Sequence, residues 1–261
     1  MIFAVIALNT FREAIRDKIL YVLLVFGILM IFVSRAIGWV SFGGESKIMT
    51  DIGLTAIWMF SGMISIFIGT GLIYKEIDKR TIYTILAKPT RRWQFLLGKY
   101  LGLLLTTLVN MLALSVTFIV YLWVCGTPIT LALGQALALT FVEMMVVTAV
   151  AIFFSSVSTP ILSSIFTTII FFSGQLTKWV VDLGAPLKSV APWVEKVLYF
   201  IYLFLPNLHN FNIRKEAVMA AQENVNLAIS TGEFYSCIVY GLSYTVAVLL
   251  CAHLAFSRRN F

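Results

Sequence analysis

Charge is the scarcest property of this chain. Only 12% of its 261 residues are Asp, Glu, Lys or Arg, against roughly 25% in an average soluble domain. With 60% hydrophobic residues, it cannot clothe a solvated surface and reads as an integral membrane protein with little left over for a soluble domain. Cysteine is also sparse. Cys125, Cys237 and Cys251 are an odd number with no CxxC spacing, so they read as small apolar residues in or near spans, and a Cys125–Cys237 disulfide is not expected. Two isolated histidines, His209 and His253, give no His/Cys cluster and no metal site. No GxxxxGK[ST] loop is present, which excludes the usual ATP site on this chain. HExxH and GxSxG are missing too, and no catalytic residue is assigned. The strong internal repeat of many secondary transporters is not seen.

What fills the chain is long apolar runs. About 20 such residues cross a bilayer core as a helix, and six runs qualify: residues 19–40, 52–74, 100–125, 131–154, 161–181 and 234–256. Residues 100–142 carry no charge at all, and Gly126-Thr127-Pro128 breaks them into two crossings. Residues 155–160, SSVSTP, make a short inner turn, and residues 41–51 the first outer loop. The expected fold is all-α: one six-span domain over residues 1–261, with both termini on the cytosolic side. Residues 3–18 are amphipathic, with Phe3, Ala7, Phe11, Ala14 and Ile15 on one helical face. They lack a signal-peptide cleavage site and suit a helix lying in the inner interface.

Charge is distributed by side. Residues 74–99, YKEIDKRTIYTILAKPTRRWQFLLGK, are a polar island with seven basic residues against Glu76 and Asp78. Short loops rich in Lys and Arg stay cytosolic. The expected cytosolic segments together hold twelve basic and four acidic residues, and the outer ones seven of each. The net charge of +7 is therefore a topology signal and a contact for anionic lipid, not a nucleic-acid footprint. Within the island, Glu76 and Arg80 are spaced to pair along a helix, and Lys88-Pro89 should end that helix.

The island resembles the signature of the ABC type-2 permeases, the membrane subunits of ATP-driven exporters. The matching positions are Glu76, Asp78, Thr81-Ile82, Ile85-Leu86, Pro89, Arg91 and Gly98-Lys99, with Arg80 where the family usually has Gly. The motif spans about a tenth of the chain, and the order of spans extends the likeness to most of its length. The resemblance implies that residues 75–99, and within them Glu76, Asp78, Lys79, Arg80, Thr81, Lys88, Pro89, Arg91 and Arg92, dock on a separate ATPase. It implies two ATPase subunits carrying ATP and Mg, no cofactor on this chain, and a second permease forming a homodimer or heterodimer in a bacterial inner membrane. It makes residues 1–18 an elbow helix, and expects outer re-entrant or interfacial helices before the last span. The island and the outer segment most resemble permeases grouped with multicopper-enzyme and nitrous-oxide-reductase maturation, although no copper ligands are evident here.

The outer segment, residues 182–233, is the one long stretch outside the spans. Residues 197–205 are too short an apolar run to cross and read as a re-entrant or interfacial helix. PNLHNF at 206–211 reads as a tight turn, and residues 213–228 as an outer helix. Glu143 is the only ionisable residue deep in a span. Such a group costs several kcal/mol unless paired or neutral, which makes it the intramembrane candidate. It is either functional or a structural brace, bonded to the hydroxyls of Thr140 or Thr148 or to a neighbouring span, and no basic partner is visible at its depth. Met59 and Met63 share a face and read as core packing. Gly53, Gly62, Gly69 and Gly71 allow close approach, within the chain or between subunits. Three functions compete: an exporter permease, a mechanical ABC subunit that drives an extracytoplasmic protein, and an ATP-independent carrier using Glu143.

Overall fold

The computed structural model describes residues 2–40, 44–78, 92–178, 205–223 and 227–258. Every regular element among them is helical: α1 (Ile2–Ile15), α2 (Lys18–Val40), α3 (Glu45–Asp78), α4 (Arg92–Val124), α5 (Leu131–Val157), α6 (Pro160–Gln175), a 3-10 turn (Leu208–Phe211), α7 (Arg214–Glu223) and α8 (Thr231–Arg258). Helices are what apolar runs must form in lipid, where each backbone group needs a partner within its own segment.

Five of them, α2, α3, α4, α5 and α8, are long and apolar enough to cross a membrane. The fifth expected crossing, residues 161–181, is described only as far as Lys178; after Leu176 the chain is helical again at Thr177 and Lys178, and the remainder lies outside the described residues. Helix α6 has 16 residues, a rise of roughly 24 Å against a hydrocarbon core of about 30 Å. It closes where the Leu176 N–H bonds to the Ser173 carbonyl.

Other boundaries shift outward. Residues 45–51, expected in a loop, form the first turns of α3, with Glu45 placed where the helix dipole favours an acid. Ser155 and Ser156, expected in the SSVSTP turn, are helical and buried. Ser155 Oγ donates to the Thr70 carbonyl of α3, and Ser156 Oγ to that of Phe153. Only Ser158 and Thr159 turn the chain before Pro160 opens α6. The break at Gly126 is as expected, with φ of 73° that glycine adopts at little cost.

Helices α3 and α5 form the centre. Helices α2, α4, α5, α6 and α7 pack on α3, while α8, α4, α6 and α7 pack on α5. The α3 glycines serve this packing. A Cβ at Gly53 would clash with the Phe118 ring, one at Gly62 would lie 2.6 Å from Phe171 Cζ, and one at Gly69 3.0 Å from Ala151 Cβ.

Helix α1 lies along α4. Lys99 is buried there with Nζ 4.0 Å from Glu13 Oε2 of α1, and a Cβ at Gly102 would sit 2.5 Å from the Ala7 carbonyl oxygen. Gly102→Leu is therefore expected to push α1 off α4 at a cost of about 1–3 kcal/mol. Faster tryptic cleavage after Arg16 or Lys18 in detergent would report it. Unchanged cleavage and melting would contradict the contact.

Candidate functional site

Because α6 is short, its last residue reaches only to the middle of α5. Gln175 meets Glu143 there, twelve residues along α5 from Leu131. The 3-10 turn packs against the end of α6, and α7 packs on α3 and α5. Leu208 packs on Gly174, where a Cβ would be 2.7 Å from Leu208 Cγ. Thr177 Oγ1 donates to Asn207 Oδ1, and the Asn207 N–H donates to the Tyr240 hydroxyl of α8. Ala217, Val218, Ala220 and Ala221 of α7 are buried against α3 and α5. The segment after PNLHNF is thus inserted between the spans.

The insertion builds a polar cluster around Glu143, which is 1% exposed. Glu143 Oε1 accepts from Trp58 Nε1 of α3 at 2.8 Å and from Gln175 Nε2 of α6 at 2.7 Å. Gln175 Oε1 in turn accepts from Asn212 Nδ2 at 3.3 Å. Asn212 Oδ1 takes Arg214 Nε at 2.9 Å, and Arg214 Nη1 donates to Thr55 Oγ1 of α3 at 3.2 Å. The guanidinium also lies 4.6 Å from the centre of the Trp58 ring, a cation–π distance. Trp58 stacks on Phe171 of α6 with centroids 4.7 Å apart. Burial lowers the Arg214 pKa from its ordinary value, while the charges of Glu143 and Asp51 act to raise it.

One chain of contacts therefore runs from Glu143 through Gln175 and Asn212 to Arg214, and closes through Thr55 and Trp58 on α3. A buried carboxylate fed by two donors and facing a guanidinium is a satisfied electrostatic unit. It can hold the inserted segment to the central helices. It can also register a shift of α3, since Trp58 and Thr55 both ride on that helix.

The family model for ABC-2 family transporter proteins matches residues 4–261. The chain belongs to this family. It is accordingly the membrane component of an ABC transporter, a transmembrane permease rather than the catalytic subunit, and its family generally pairs with an ABC ATPase. No curated protein matches the chain.

For the permease, the expected coupling residues fall mostly outside the described part. Glu76 and Asp78 lie in the last turns of α3, and Arg92 opens α4. Lys79, Arg80, Thr81, Lys88, Pro89 and Arg91 lie outside the described residues, as do residues 182–204 with most of the expected re-entrant run. Glu143 bonds to neighbouring helices through Trp58 and Gln175, not to the threonines of its own helix. Thr140 and Thr148 bond to the Ala136 and Met144 carbonyls of their own helix, as threonines in apolar helices do. Among the described residues no base forms an ion pair with Glu143, but Arg214, from the outer segment, acts on it electrostatically. Trp58, Gln175, Asn212 and Arg214 were not singled out from the sequence. The one available signal was Gln175, an amide closing an otherwise apolar run.

The turn expected at PNLHNF is present as the 3-10 turn, and the outer helix is present but shorter, ending as described at Glu223. The three cysteines are free. Cys125 Sγ accepts from Arg35 Nη1, and Cys237 Sγ contacts the Asn210 carbonyl.

Proposed function

We propose that this chain is the permease subunit of an ATP-driven exporter, six spans per chain with both termini in the cytosol of a bacterial inner membrane. Residues 1–18 act as its elbow helix, and residues 75–99 dock on a separate ATPase that holds ATP and Mg. Two permease chains, identical or related, work with two ATPase subunits.

The observation that carries this reading is α3. It is one continuous 34-residue helix, roughly 51 Å long at 1.5 Å per residue. Glu76 and Asp78 stand at one end, while Asp51, Thr55 and Trp58 stand toward the other. A push from the ATPase on residues 75–99 would move α3 as a rod. Thr55 and Trp58 would then shift against Arg214 and Glu143, and the inserted segment would tighten or release at the far side. Alternating these two arrangements with ATP binding and hydrolysis would open and close a path between the permease halves.

The same lever would serve a mechanical subunit, since what moves is an outer segment that an extracytoplasmic protein could engage. The maturation-type permeases remain the subgroup that the island and outer segment most resemble. Native mass spectrometry of the complex purified in mild detergent tests the assembly. Two permease chains with two P-loop ATPase chains are expected. A permease that never carries an ATPase would overturn the reading.

A further inference from the structure

Beside the Glu143 cluster lies a cavity of about 540 Å³, within the size range of small-molecule sites. Its wall gathers charges from three separate parts of the chain. Asp51 comes from α3, Lys178 from just beyond α6, and Arg214, Lys215 and Glu216 from the first turn of α7. Three cations and two carboxylates thus face one space. Among the described residues no ion pair joins any two of them; the only pair described is Lys99 with Glu13. Asp51 acts on Arg214 only from a distance. Arg214 donates Nε to Asn212 and Nη1 to Thr55. Glu216 Oε2 is buried with no hydrogen-bond partner.

Opposite charges at the edge of a membrane protein gain by pairing. A cavity that keeps both signs apart suits a ligand that carries both. We propose that this cavity binds a headgroup bearing a phosphate and an ammonium. Lys178, Arg214 and Lys215 would meet the phosphate, as basic side chains do. Asp51 and Glu216 would meet the ammonium, with Glu216 gaining the donor it lacks. Three cations against two carboxylates suit a phosphate beside a single ammonium, whether in a phosphodiester lipid headgroup of no net charge or a phosphomonoester of an amino alcohol of about one negative charge. The source is either a bilayer phospholipid or a soluble phosphoamine. This proposal does not rest on ATPase docking, because it is tested on the full chain alone.

Calorimetric titration of the detergent-purified chain with phosphoethanolamine, inorganic phosphate and ethanolamine is the first arm. Native mass spectrometry from nanodiscs containing phosphatidylethanolamine or phosphatidylglycerol is the second. Saturable phosphoethanolamine binding about tenfold tighter than either fragment supports a soluble ligand. Selective retention of phosphatidylethanolamine supports a lipid. In the arm that binds, Lys215→Ala and Glu216→Gln should each weaken the interaction, and Lys215→Arg should keep it, with melting temperatures unchanged. Binding in neither arm, equal binding of a single fragment, or indifference to both variants overturns the proposal.

Discussion

Trp58→Ala is expected to cost about 3–5 kcal/mol of unfolding free energy in detergent, the largest effect of any single truncation in the bundle. The ring holds three elements at once. It stacks on Phe171, meets Phe172 edge-on at 6.3 Å and lies under the Arg214 guanidinium. Its Nε1 is also one of two donors to the buried Glu143. Removing it opens a void between α3 and α6 and strips a hydrogen bond from a buried carboxylate. Trp58→Phe separates these two losses. It keeps an aromatic body but no donor, and should cost about 1–3 kcal/mol. Trp93, 41% exposed, supplies the control. If Trp58→Ala unfolds no earlier than Trp93→Ala, the cluster does not hold the bundle together.

Arg214→Glu should be comparably severe, and for an electrostatic reason. It replaces the guanidinium that faces Glu143 and Asp51 with a third carboxylate. Arg214 forms no ion pair with either acid, but the substitution removes its hydrogen bonds to Asn212 and Thr55 and sets a like charge near a buried carboxylate, at an expected cost of about 3 kcal/mol or more. The inserted segment, held through Asn212, Thr55 and Trp58, should undock and become open to protease between Pro206 and Glu223. The second substitution Glu143→Gln, which removes one repelling charge and keeps a side chain of the same shape, should recover about 1 kcal/mol or more. Recovery would show that charge, rather than packing alone, seats the segment. No recovery would contradict it.

Much of this architecture is legible in the sequence because the bilayer makes the grammar simple. Residues 19–40 and 131–154 are apolar for the length of a crossing, and each contains a helix that the structure confirms. Gly126 breaks the uncharged run at the expected place because only a turn there lets two crossings share it. The depth of the outer segment was not legible. Residues 161–181 are as apolar as a full span, and nothing local says that the helix ends at Gln175. The contacts at that point are tertiary: Leu208 packs on Gly174 and Gln175 bonds to Glu143. Arg214 sits in a polar stretch that reads as an outer helix, and its approach to Glu143 follows only from that insertion. Glu143 itself stood out, since it is the only Asp, Glu, Lys or Arg in residues 100–177 and must be satisfied. Its donors did not stand out, because they come from α3 and α6 while the nearby threonines serve their own helix.

The central claim is that the end of α3 and the residues after it receive the work of an ATPase. Co-purification in mild detergent of the native chain and of a Glu76→Lys, Arg80→Glu variant tests it most directly. The account predicts a P-loop ATPase with the native chain, and a loss of about tenfold or more in that ATPase with the variant, while both permeases melt alike. An ATPase carried in full by the variant, or none carried by the native chain in several detergents, would contradict it.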